Sequence, residues 1–146
     1  MSHCLRFMLT AILCGSLYGT GALAQTTTNW TGNAQDADWN NTGNWDNGVP
    51  TAVDNAVINN SNGNNPVLDV GVAVNDLTVN SGAAFIVNGQ IVTINRHLTV
   101  TTSNIAGDGL IVTHAADEVT VEGNALFTTA SNNGAASSSG NFADGV

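Results

Sequence analysis

The chain has 146 residues, a formal net charge of −9 and only 9% charged side chains, with Asn, Gly, Thr, Ser, Val and Ala dominating. That length allows one domain. Two Lys/Arg residues against 11 carboxylates leave no cationic patch to displace counterions from phosphate, which excludes nucleic-acid partners and attraction to anionic lipid.

The first element is a leader. Arg6 ends a short basic start, Phe7 to Cys14 is an apolar run, and Ala22-Leu23-Ala24 supplies the small-x-small pattern of a cleavage point. Residues 1–24 are therefore expected to be a secretory signal peptide, with Gln25 as the mature N-terminus. The run is broken by Gly15, Gly19 and Gly21 and falls short of the about 20 apolar residues a membrane helix needs, so no stable membrane insertion is expected. Cleavage removes Cys4 and Cys14, which leaves the mature chain without an internal disulfide.

Residues 25–58 follow as a tryptophan-bearing segment. All three tryptophans, Trp30, Trp39 and Trp45, fall here, among turn-forming Asn, Asp and Gly. Then come Asp54 to Ile58, a turn-rich Asn59 to Asn65, and Pro66 to Val70. Every later apolar stretch is short, rich in Val, Ile and Thr, and bounded by Asn or Gly, which predicts strands separated by turns. The good helix formers Lys, Glu, Leu and Met are scarce, and no 3.6-residue periodicity follows Ala24.

Three of these strands match: Leu77-Thr78-Val79, Leu98-Thr99-Val100 and Val119-Thr120-Val121, at an even spacing. A fixed period of this length predicts a coil that stacks on itself, one strand per turn. The fold expected is all-β, a short right-handed parallel β-helix over residues 25–127 whose N-terminal cap is residues 25–58. Residues 128–146, rich in Ala, Ser, Gly and Asn, are expected to be a loop or tail. The alternative is an antiparallel β-sandwich, because Asn88-Gly89 between Ala84–Val87 and Gln90–Ile94 is a type I′ hairpin signal. A hairpin explains one turn but leaves three evenly spaced strands unexplained.

The set Trp30-Thr31-Gly32, Asp38-Trp39, Asn44-Trp45, Gly48-Val49-Pro50 and Asp54 to Ile58, followed by Leu77-Thr78-Val79 and Gly82, resembles the N-terminal part of bacterial secreted, autotransporter-like β-helix surface proteins. The likeness runs from about residue 29 to 127. It implies export to the cell surface and an adhesin-type role, and it carries no catalytic residues to transfer. The chain is short for that family and shows no translocator barrel or C-terminal sorting signal, so it reads as a fragment of a larger exported protein. An extracellular or cell-surface location in a bacterium follows, with an unknown surface or glycan target and self-association through an exposed C-terminal rung.

Four candidate sites arise. Trp30, Trp39 and Trp45 can stack sugar rings as a non-catalytic carbohydrate-binding module, or bury the open first rung; aromatic bulk favours burial. In a 21-residue register Asp76, His97 and Glu118 align in one outward column, where one nitrogen and two oxygens can hold a metal; Arg96 beside Asp117 in the next column favours a solvated ion-pair stack instead. Thr78, Thr99 and Thr120 make an outward ladder that β-propensity and cross-rung hydroxyl contacts explain. Asp36, Asp38 and Asp46 lie in a turn-rich stretch with the oxygen ligands calcium prefers, but at no recognised loop spacing. His97 and His114 have no nucleophile in a recognisable setting, and Asp117-Glu118 would face opposite sides of a strand. The chain reads as a non-enzyme that calls for no cofactor.

Overall fold

The computed structural model describes residues 24–59, 63–102, 108–129 and 143–144. The leader assigned to residues 1–24 lies outside them apart from Ala24, as does most of the segment from 130 onward. The chain is nearly all β, with parallel strands stacked as a β-solenoid of about four turns.

Strands form where small or β-branched residues alternate with polar ones, and the residues that follow β2 and β3 are asparagines, Asn59 and Asn80. In chain order they are β1 (Thr27–Trp30), β2 (Asn55–Ile58), β3 (Val72–Val79), β4 (Ala84–Ile86), β5 (Ile91–Thr102), β6 (Gly109–Ile111), β7 (Glu118–Val121), β8 (Ala125–Thr129) and β9 (Ala143–Asp144). One sheet runs β1-β2-β3-β5-β7-β9, with β8 also on β5; a second joins β4 to β6. All these pairings are parallel. Bridges from Asp38 to Val67 and from Val67 to Ile86 extend the second face toward the N-terminus.

The alternation sends one side chain in and the next out. Trp30, Ile58, Val79 and Val100 form one inward column, and Ala56, Leu77 and Leu98 another, all buried. Leu68, Phe85 and Val87 meet them from the second face. Each such side chain contributes about 1.5–3 kcal/mol by leaving water, which is what holds a stack without a disulfide.

Two departures from the even period have physical causes. Leu77 does stack on Leu98, and Thr78 on Thr99. Val119, however, lies on Val92 rather than on Leu98, and Leu98 instead carries Ala125. The stacked offset is 28 residues from β1 to β2, 21 from Asn59 to Asn80 and from Asp76 to His97, and 27 from β5 to β8. The long strand β5 has two alternating halves, Val92-Thr93-Ile94 and Leu98-Thr99-Val100, and a Val-Thr-Val strand fits either. The length of the connection decides between them.

The second departure lies within β3. One residue, Asn75, sits where β5 has two, Asn95 and Arg96, which shifts the register between Val74 and Asp76. Such a bulge bends the strand and re-aims its side chains. Asn75 is held there by its N–H to the Asp54 carbonyl and its side-chain amide to Asn55 Oδ1, both at 2.8 Å.

The Asn88-Gly89 turn forms as its dipeptide demands, with φ of 54° and 80° and Gln90 N–H donating to the Val87 carbonyl at 3.2 Å. It makes a corner rather than a hairpin, because β4 leaves for β6 while β5 joins β3. The antiparallel sandwich is thereby overturned. Strand β2 pairs on both sides, with β1 and with β3, and β8 runs through Thr128 to Thr129.

Candidate functional site

The N-terminal end is the most elaborated part of the molecule. Strand β1 has β2 on one side only, so its other edge would present bare N–H and C=O groups. The segment after the short 3-10 turn Thr42–Asn44 closes it, with Trp45 bridged antiparallel to Trp30. Thr31 N–H donates to the Asn44 carbonyl at 2.7 Å, and Asp46 N–H to the Asn29 carbonyl at 3.1 Å. Asp46 Oδ1 accepts the Asn29 N–H at 2.7 Å, and the Asn47 side-chain amide donates to the Thr27 carbonyl at 3.0 Å.

Beneath this edge the three indoles form one cluster. Trp45 meets Trp30 edge-on at 5.2 Å and Trp39 edge-on at 4.7 Å, and Trp39 leans on Phe85 at 5.0 Å. Trp45 Nε1 donates to the Trp39 carbonyl and Trp30 Nε1 to the Asn64 carbonyl, while buried Trp39 Nε1 has no acceptor. Exposures are 1% for Trp30 and Trp39 and 5% for Trp45, so no ring face is free to stack on a sugar. The three rings form the core of the cap.

The metal column does not assemble. Asp76 and His97 are neighbours across β3 and β5, but Glu118 lies opposite Ile91 because β7 rides on the first half of β5. Asp76 Oδ1 accepts the His97 N–H at 3.0 Å, and His97 Nδ1 faces the Asn124 N–H at 3.4 Å. Among the described residues no group of three or more His, Cys, Asp or Glu is placed to hold a metal. Arg96 lies 3.9 Å from Asp76, not beside Asp117. The threonine ladder is broken by the same shift: Thr120 faces Thr93, and Leu126 follows Thr99.

The acidic residues serve as turn locks. Asp36 accepts the side-chain amides of Asn44 at 2.6 Å and Asn41 at 2.7 Å, which together hold its carboxyl below the usual carboxylate range. Donation from Asn29 does the same for Asp46, and the Thr51 hydroxyl for Asp54. At Asp117 burial pushes upward, but N–H groups of His114, Gly89 and Thr113 outweigh it and the net shift is down. Carboxylates so occupied by donors are poor calcium ligands, since the asparagine nitrogens fill the positions a cation would need. For Asp36 and Asp38 the sequence signal was available, in asparagines two to eight residues away; Asn29, which holds Asp46, lies 17 residues off.

A pH dependence follows. A carboxyl with a lowered folded pKa adds stability that is present above its unfolded pKa and is lost as pH falls through the folded value. The four locks act together, so the urea midpoint should stay flat from pH 7 to about 5 and fall steeply below about 4. A midpoint unchanged at pH 3 would show that these bonds do not hold the corners.

The C-terminal end is built differently. Val119 is buried, whereas Val121 and Phe127 are only half-covered and Leu126 is 55% exposed. Among the described residues no helix is long and apolar enough to cross a membrane. Comparison of the chain with family models, with curated proteins and with solved structures returned no match.

Proposed function

We propose that the chain is an exported, non-catalytic surface module of adhesin type, in which a parallel β-solenoid holds short polar side chains in fixed outward columns. The observation that carries this reading is the outermost rung. Among the described residues Thr26 is the first one bonded across to another rung, its N–H on Asp54 and its carbonyl on Asn55 N–H, two residues after the leader boundary read at Ala24. An export signal can be removed there without touching the first rung. The resemblance of the tryptophan segment to bacterial exported β-helix proteins supports the same reading.

The non-enzymatic part rests on the side chains themselves. Asp36, Asp46, Asp54 and Asp117 hold turns, and Asp76 holds the His97 backbone. The exposed Leu126 and half-covered Phe127 on β8 support contact between copies at the C-terminal rung.

Fractionation of cells expressing the full chain tests the reading. The protein should reach the cell exterior without residues 1–24, be open to added protease on intact cells, and bind glycan-coated or bare surfaces equally with and without a chelator. Retention in the cytoplasm with the leader intact would overturn it.

A further inference from the structure

We propose that Gln25, once it is the mature N-terminus, closes on its own α-amine to give pyroglutamate, so that the exported module carries a blocked, uncharged terminus. This rests on the export reading above. It adds a covalent modification at a named residue.

The geometry leaves Gln25 free to react. Among the described residues the bonds to neighbouring rungs start one residue later: Thr26 N–H donates to Asp54 Oδ1 at 3.2 Å, and the Thr26 carbonyl accepts the Asn55 N–H at 2.8 Å. Gln25 itself is exposed. Asp54, the carboxylate that holds Thr26, is already engaged, its Oδ2 taking the Thr51 N–H at 3.0 Å and the Thr51 hydroxyl at 2.6 Å. It therefore has little capacity left to hold a new ammonium out of reach. Ring closure needs only rotations within the Gln25 side chain, so no bond of the frame has to break.

The chemistry balances without a co-reactant. An α-amino group of ordinary pKa is about one-tenth neutral at pH 7, and that neutral nitrogen is the nucleophile. Its lone pair attacks the side-chain carbon Cδ, the new C–N bond closes a five-membered lactam, and the Cδ–Nε2 bond breaks. The departing nitrogen leaves as ammonia, carrying one proton from the α-amine. The product has no terminal cation, which leaves Arg96 as the sole permanently positive group on residues 25–146. A lactam terminus also resists aminopeptidases, which suits a protein outside the cell.

The test uses the full precursor in an exporting bacterial host, with intact-mass measurement and N-terminal sequencing of the released protein. The expected mass is that of residues 25–146 less one ammonia. Sequencing should be blocked until treatment with pyroglutamyl aminopeptidase, after which it starts at Thr26. A stable free Gln25 after prolonged incubation at neutral pH would overturn the closure while leaving export intact. A product retained with its leader intact would overturn both, whereas one released but cut elsewhere would overturn the closure at Gln25 and leave export standing. Gln25→Ala should abolish the ammonia loss. If the loss persists in that variant, an asparagine such as Asn47 before Gly48 is its source and the assignment to Gln25 fails.

Discussion

Among the described glycines, Gly123→Ala should be the most damaging substitution, lowering stability by about 3 kcal/mol or more. Gly123 lies between β7 and β8 and passes directly over Arg96, between the two halves of β5. A Cβ there would overlap the Arg96 carbonyl oxygen and fall 2.7 Å from its carbon, and both are backbone atoms that cannot rotate away. Relief requires lifting the last rung off β5. That strains the bonds on either side, Glu122 N–H to the Ile94 carbonyl and Leu98 N–H to the Asn124 carbonyl, each at 2.9 Å. Gly48→Ala is the matched control: its φ of +86° is unfavourable for alanine, but nothing lies within 4 Å, so about 1 kcal/mol is expected. Urea midpoints of the two variants give the comparison. Equal midpoints would mean that Gly123 does not sit on Arg96, and would point to the alternative register in which Val119 stacks on Leu98 and Gly123 lies opposite Thr102.

That comparison marks the limit of what strand pattern can specify. The Leu-Thr-Val strands at 77 and 98 announced both the solenoid and their own register, because each buries two apolar residues around one outward threonine. The third copy, at 119, carried the same pattern and the wrong inference. Val92-Thr93-Ile94 offers the same inward spacing as Leu98-Thr99-Val100, so side-chain chemistry cannot separate the two positions. The Asn88-Gly89 turn misled in a related way, since its dihedral preference fixes the local bend but not the partner of the strand that leaves it. The cap was legible as aromatic bulk at an exposed edge. The direction of the rings was not, because the wall they face comes from Leu68 and Phe85, remote in sequence. The aspartates read as ligands because a sequence lists the carboxylates and leaves out the donors that fold back onto them.

Trp45→Ala should remove the centre of the cap and with it much of the stability of the chain. Trp45 touches both Trp30 and Trp39, its Nε1 holds the Trp39 carbonyl at 2.8 Å, and its backbone bridges β1. Truncation leaves a cavity between two indoles and an orphaned buried carbonyl, a loss of about 3–5 kcal/mol for a tryptophan in a core. In a stack whose rungs contact only their neighbours, a damaged end rung exposes the next one. Total stabilities are only about 5–15 kcal/mol, so the variant should melt more than about 10 °C below the parent, or be unfolded at room temperature. Trp45→Phe, which keeps a ring against both neighbours, should lose markedly less. In the parent, tryptophan emission should be blue-shifted and insensitive to both acrylamide and added glycans, since all three rings are out of solvent. The decisive contrary result is a Trp45→Ala protein that melts with the parent yet loses a glycan-induced shift the parent shows. That would place the indole at the surface as a sugar-stacking face and remove the aromatic cap as the element that closes the solenoid.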